Sequence, residues 1–276
     1  GIIGLVIFLI IIIFITLIKS YIENKTIEVN HYTIEDMQIP KSFNDMTIVH
    51  ISDLHNEEFG ENQEDLLETM ETIKADVIVL TGDLIDTKNT DKDIDITMDF
   101  INGATSLAPT YYVTGNHDVW SSQYPELEKR LIDSGVVVLR DQVQEIIKNN
   151  ESISLIGLDD PDSKDIPPSL SVSDRLSSLT SETEAYTILL AHRPEDFDIY
   201  VNEVNLVLSG HSHGGQICFP FIGALVAPDQ GLFPKYSDGL YSKDGTKMII
   251  SRGLGTSVIP IRINNPPEII VIKLKS

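Results

Sequence analysis

The chain has 276 residues, 42% of them hydrophobic and 22% charged, enough for one sizeable core and unlike an intrinsically disordered chain. Its 42 acidic against 20 basic residues give a net charge of −22, which opposes binding to nucleic acid, because that affinity rests on Lys and Arg neutralising phosphates. The single cysteine, Cys218, excludes an internal disulfide and a cysteine-rich zinc site, and it reads as a buried structural thiol.

The first predicted element is a membrane anchor over residues 1–18, a run of Ile, Leu, Val and Phe without a charge. About 18–20 apolar residues in a helix nearly cross the hydrocarbon core. A signal peptide has a shorter apolar region, ~7–15 residues, and a small-residue cleavage site, which the flank Ile18-Lys19-Ser20-Tyr21 lacks. The run is apolar on every face, which suits lipid better than a protein core. A single-pass anchor is therefore expected. Residues 19–45 read as a linker with two leading strands, Thr26–Val29 and Tyr32–Met37, closed by Pro40.

From Thr47 the chain alternates short apolar runs with helical spacing. Strands are predicted at Thr47–Ile51, Val77–Leu80, Tyr111–Val113, Val136–Leu139, Ser152–Leu158, Thr187–Ala191 and Leu206–Leu208. Helices are predicted at Glu61–Lys74, Ile94–Leu107 and Gln123–Ser134. After Gly215 helices thin out, and strand-like runs recur at Lys247–Ser251 and Ile269–Leu274. Strands with β-branched cores alternating with helices indicate an α/β sheet. The strand-rich end would complete a second one.

Polar residues cluster where these strands end, the place where open α/β sheets bind ligands. Five segments do so: Asp53-Leu54-His55, Gly82-Asp83-Leu84-Ile85-Asp86, Gly115-Asn116-His117-Asp118, Ala191-His192-Arg193 and Gly210-His211-Ser212-His213-Gly214-Gly215. Each is common alone, since Gly-Asp marks many turns. Together they hold five of the seven histidines, and His31 and His50 read as structural. Imidazole, carboxylate and amide oxygen suit Mn, Fe or Zn better than Ca, which prefers oxygen alone. The donors are too many for one ion, so two divalent metal ions are expected, with one carboxylate bridging them. Such a pair, roughly 3.5–4 Å apart, activates water and clamps both oxygens of an in-line displacement. Cations also reconcile an acidic protein with an anionic substrate.

In this order the five segments resemble the calcineurin-like metallophosphoesterase superfamily, over roughly residues 46–275. The anchor and the ending (Gly214-Gly215-Gln216, Arg252-Gly253-Leu254-Gly255, Pro266-Pro267-Glu268) are similar to its bacterial membrane-associated branch, which includes secreted Gram-positive phosphoesterases and UDP-diacylglucosamine pyrophosphatase-like enzymes. The resemblance implies a four-layer α/β/β/α sandwich of two mixed sheets spanning residues 46–276. It implies Asp53, His55 and His213 on a first metal, Asn116, His192 and His211 on a second, and Asp83 bridging. A hydroxide bridging the metals would attack phosphorus. His117 would face the phosphoryl group as a catalytic residue, Asp118 would orient His117, and Asp86 would hold the loop around Asp83. Arg193 reads equally as a phosphate contact or a surface ion pair.

The apolar stretch Cys218–Pro228 reads as a buried connection or as a hydrophobic lip beside the cleft, and Trp120 as pocket lining or core. The expected activity is a metal-dependent phosphoester hydrolase acting on a lipid or cell-envelope phosphoester or pyrophosphate. A catalytically idle membrane-anchored binding protein and a nuclease are the alternatives. A monomer is expected, on the cell membrane, with the catalytic part outside, as in the secreted relatives.

Overall fold

The computed structural model describes residues 1–88, 90–215, 218–219, 223–256 and 262–276. The uncharged run becomes helix α1 (Ile2–Lys25), which continues past the expected anchor by seven residues. Its apolar side chains point outward all round, and only 6% of its most apolar window is buried. The two short strands expected before Pro40 are one, β1 (Glu28–Glu35). It pairs in parallel with the last strand, β16 (Glu268–Lys275), so the segment read as a linker contributes a sheet edge.

The first sheet runs β1-β16-β2-β3-β4-β5, with β2 at Thr47–Ile51, β3 at Val77–Leu80, β4 at Thr110–Tyr112 and β5 at Val137–Val138. Its strands are parallel except where β16 meets β2. The second sheet runs β14-β15-β9-β8-β7-β6, from β6 (Gln142–Lys148), β7 (Glu151–Gly157), β8 (Tyr186–Leu190), β9 (Leu206–Ser209), β14 (Gly239–Lys243) and β15 (Thr246–Ile250). It is antiparallel only at its two outer pairs. Between β9 and β14 lie two small ribbons. One joins β10 (Cys218–Phe219) to β11 (Gly223–Ala224), the other β12 (Val226–Ala227) to β13 (Gly231–Leu232).

Three apolar clusters define four layers. Ile48, Val79, Ile270 and Ile272 of the first sheet meet Ile153, Leu155, Ile188 and Leu208 of the second, face to face. On the outer face of the first sheet, Val49, Ile78 and Leu80 pack under helices α2 (Glu64–Ile73), α3 (Asp91–Leu107) and α5 (Tyr124–Asp133). On the outer face of the second, Ile156, Leu189 and Val207 pack under α6 (Val172–Thr180) and α7 (Phe197–Tyr200). Central strands buried on both faces need continuous apolar runs, which is how Val77–Leu80 reads. Helix starts are local: Thr90 and Ser171 each close a capping box with the Asp three residues on. The sandwich is thus the four-layer α/β/β/α arrangement expected from the sequence.

Candidate metal centre

All five polar segments leave the carboxyl ends of adjacent strands: β2, β3 and β4 in one sheet, β8 and β9 in the other. The short helix α4 (Asn116–Trp120) begins where β4 gives out. Both sheets therefore deliver their segments to one cleft. The backbone is bent hard to do so. Asp53, His55, Asp83, His211 and His213 all have positive φ, between 47° and 68°, which non-glycine residues avoid. Such strain persists only where surrounding contacts over-determine it. Here Asp53 N–H donates to Gly82 O (2.9 Å) and His55 N–H to Asp83 O (3.0 Å). His211 N–H donates to the Asp53 carboxylate (3.1 Å).

Among the described residues four groups of potential ligands form, and Asp83 belongs to the two that are fully buried: Asp53, His55, Asp83 and His213 in one, Asp83, His192 and His211 in the other; His55, Asp86 and His117 make a third, and Glu195, His211 and Asp229 a fourth. Asn116 Oδ1 lies 3.1 Å from His192 Nε2 and so joins the second. The imidazoles are oriented from behind. His55 Nδ1 donates to Asp86 (2.8 Å), His192 Nδ1 to Thr81 O (2.6 Å) and His211 Nε2 to Asp229 (3.0 Å). A proton at each of those atoms leaves a lone pair on the opposite nitrogen, aimed inward.

The bare nitrogens of His211 and His192 consequently face one another, Nδ1 to Nε2 at 3.1 Å, and His55 Nε2 faces His213 Nε2 at 3.3 Å. Asp83 Oδ2 is buried without a hydrogen-bond donor among the described residues. His192 Nε2 is 3.2 Å from it, but in the neutral ring that atom carries no proton. Converging buried acceptors are what divalent cations satisfy, so the donor set fits metal.

The electrostatics repeat the pattern. Without a cation, burial disfavours a charged imidazole at His192, yet Asp83 beside it reverses this and lifts it to about 10, so that a proton then holds the place beside Asp83 that a cation would take. His55 is also raised: burial opposes the charge, and Asp86, Asp83 and Asp53 outweigh it. Their neighbours go the other way. Burial and the adjacent imidazole push His211 down to about 3 and His213 well below its ordinary value. Each half of the centre thus attracts one positive charge.

The remaining candidates sit differently from expectation. Asp118 does not orient His117. Its carboxylate accepts from the N–H groups of Asp83 (2.7 Å), Ile85 (3.2 Å) and Gly115 (2.9 Å) and from the Tyr112 hydroxyl (2.8 Å). Burial, then the Asp83 charge, push Asp118 up to about 7. Asp86, expected to hold the Asp83 loop, instead lies 3.5 Å from His117 Nδ1 as well as on His55. The two carboxylates have exchanged the expected tasks. His117 Nδ1 also meets Thr87 Oγ1 at 3.2 Å, and its N–H donates to Asp83. Its Nε2 has no protein partner among the described residues.

Arg193 is bound through Nε and both terminal nitrogens to Asp160, Asp162 and Asp229, which is the ion-pair arrangement. Trp120 is about half exposed (46%), with its ring 5.3 Å from that of His117. His50 is buried against Thr81 Oγ1 at 2.7 Å. Cys218 is partly buried, its thiol 3.1 Å from Gly214 O. Of the expected apolar lip, Phe221 and its two neighbours lie outside the described residues, as does Gln216. Sequence reading missed Thr81, Thr87, Asp229 and Asn265, whose amide donates to His213 O (2.6 Å). These support proposed ligands, or His117 in the case of Thr87, through contacts across long sequence gaps, which no local spacing encodes.

A family model described as calcineurin-like phosphoesterase matches residues 46–215. The chain belongs to that family and is a metal-dependent phosphoesterase, a hydrolase. It is 32% identical to a Bacillus subtilis (strain 168) protein named uncharacterized metallophosphoesterase YkuE, over 93% of this chain and 88% of that one. It is 28% identical to the Escherichia coli phosphodiesterase YaeI, over 73% and 71%. A Danio rerio protein named transmembrane protein with metallophosphoesterase domain is also 28% identical, over 86% of this chain and 55% of that one. Among solved structures, the Thermus thermophilus sulfate thiohydrolase SoxB superposes with a TM-score of 0.51 at 13% identity, covering 86% of this chain and 57% of that chain; this likeness concerns the fold.

Proposed function

We propose that the chain hydrolyses a phosphoester or pyrophosphate carried by a lipid or cell-envelope molecule, using two divalent cations beside a membrane. One observation carries the reading: Asp83 is shared by two buried ligand groups. Asp53, His55 and His213 would hold one cation, Asn116, His192 and His211 the other, and Mn, Zn or Fe suits these donors. When bound, such a pair supplies a nucleophilic oxygen at neutral pH and screens the charge of the phosphoryl group.

The chain's own residues supply the rest. His117 stands at the cleft with Nδ1 held by Thr87 and Asp86, so Nε2 is the atom that meets the substrate. From there it stabilises phosphoryl charge or passes a proton to the departing oxygen; burial lowers His117 below its ordinary value, and Asp83 and Asp86 offset only part of this, which makes it a readier proton donor once charged. Asp118 keeps Asp83 in its strained conformation. Arg193 fastens the 160–162 loop and Asp229, and Asp229 in turn orients His211.

Helix α1, about 36 Å long, fits a membrane span, and we place the catalytic part on the outer face. The test uses the full chain in detergent, loaded with Mn²⁺ or Zn²⁺, on bis-p-nitrophenyl phosphate and p-nitrophenyl phosphate. Metal-dependent release of nitrophenol from either, abolished by chelation, is expected. Bound metal without turnover of any phosphoester would favour the idle binding protein.

A further inference from the structure

The foot of α1 is bolted to the rim of the metal cleft. Lys19 Nζ and Glu23, one turn apart, reach the same residue: Lys19 meets Asn264 Oδ1, and Asn264 N–H donates to Glu23 (2.8 Å). Lys25 pairs with Glu57 (2.5 Å) and donates to Glu58 O (3.1 Å). These are not remote loops. Glu57 follows His55 by two residues, and Asn265, next to Asn264, holds His213. Lys19 is the first charged residue of the chain, so it marks where hydrocarbon gives way to headgroups. The Asn264 loop is therefore at headgroup level.

From Asn264 the same rim runs outward to exposed apolar side chains. Asn264 Nδ2 donates to Cys218 O (3.0 Å). Cys218 pairs with Ala224 and Val226 with Leu232, and Phe233 N–H donates to Leu225 O (2.8 Å). These are four steps of about 4–5 Å each, which puts Phe233 within roughly 20 Å of Asn264, itself hydrogen-bonded to α1. Leu232 and Phe233 are 69% and 64% exposed. Phe233 has φ 54°, an outlier for a bulky residue. The turn before this pair carries Asp229 to His211 (3.0 Å). Adjacent bulky apolar residues on a ribbon tip cost free energy in water and gain it at the headgroup–acyl boundary.

We infer that Leu232 and Phe233 are a second membrane contact, dipping into the bilayer that α1 spans, so that two attachments hold the metal cleft open toward lipid headgroups. This rests on the proposed function and narrows it: the substrate's phosphoester sits in a headgroup, reached without leaving the membrane.

The test is fluorescence quenching on the full chain reconstituted into phosphatidylcholine vesicles. The native protein has one tryptophan, Trp120, beside His117 at the cleft mouth. A headgroup nitroxide lipid should quench it at least twofold, and lipid brominated deep in the acyl chain should not. In Phe233→Trp, lipid brominated near the carbonyl end should add quenching beyond the wild type. The rate on bis-p-nitrophenyl phosphate checks that the variant is folded, since residue 233 contacts no proposed ligand.

Absence of quenching at both positions overturns the inference, because the cleft then faces away from the bilayer. So does a dimer that Leu232→Ser/Phe233→Ser converts to monomer, because a second copy then covers the pair. If every phosphoester is inert but quenching occurs, the proposed activity fails while the membrane contact stands.

Discussion

At the scale of single residues, Asp83 is the one side chain that both halves of the centre need. Removing it would leave the two proposed cations in mutual repulsion, without the carboxylate that offsets them. Asp83→Ala is expected to lose bound metal and all turnover, read by metal analysis beside the nitrophenyl assay. His117 is proposed to face the substrate and not to bind metal, so His117→Ala should keep both metals and lose ~10²–10⁴-fold in rate, the usual contribution of a positioned acid or charge-stabilising contact. Loss of metal there would instead make His117 a ligand. Asp118 makes a different prediction now that its partners are known. Asn in its place turns one acceptor oxygen into a donor facing donors, which leaves a buried N–H unsatisfied at about 1–3 kcal/mol. Asp118→Asn should therefore lower the melting temperature, whereas a residue that only oriented His117 would slow turnover and spare stability. The donors were legible in the sequence because a metal centre needs particular atom types at strand ends. The roles of Asp86 and Asp118 were not. Which carboxylate reaches which imidazole depends on side-chain direction after a left-handed turn, and spacing carries no such information.

At the scale of elements, the centre depends on how closely the β3 and β4 turns approach. Gly82 has φ 90°, and a Cβ there would run into the Gly115 backbone. Gly82→Ala should cost roughly 1–3 kcal/mol from conformation alone, with more from the clash, and should weaken metal binding because Asp83 and Asn116 flank that contact. Thermal melts with and without Mn²⁺ check both. The strands of the sandwich were legible wherever burial on both faces made an apolar run, as at Val77–Leu80 and Leu206–Leu208. The edges were not. β1 lies at the border of its sheet, and its burial alternates with exposed Glu28, His31, Thr33 and Glu35. Its strand character is settled by pairing with β16 some 240 residues away, a long-range contact that overrides local preference. The foot of α1 was cut short in the sequence reading for the opposite reason. Lys19 to Lys25 are polar and look like a linker, but the helix continues through them, and side-chain bonds to Asn264 and Glu57 hold it.

At the scale of the whole molecule, the cleft gathers three segments from one sheet and two from the other, so anything that binds there links the two halves of the sandwich. A protein with net charge −22 that buries Asp53, Asp83 and Asp118 together has a folded state opposed by its own charge, and bound cations relieve that repulsion where it is greatest. Metal bound only by the folded chain stabilises it by mass action, about 2.7 kcal/mol at a hundredfold excess over the dissociation constant. For a domain of this size each kcal/mol moves the midpoint by about 2–4 °C. Chelation should therefore lower the melting temperature by roughly 5–10 °C, and Mn²⁺ or Zn²⁺ should restore it in proportion to the logarithm of its concentration. The same titration on Asp83→Ala should be nearly flat, because the bridging site is gone, whereas His117→Ala should follow the wild type. A shift that Asp83→Ala fails to abolish would mean that the stabilising cation sits elsewhere, and the shared carboxylate would lose its place at the centre of the site.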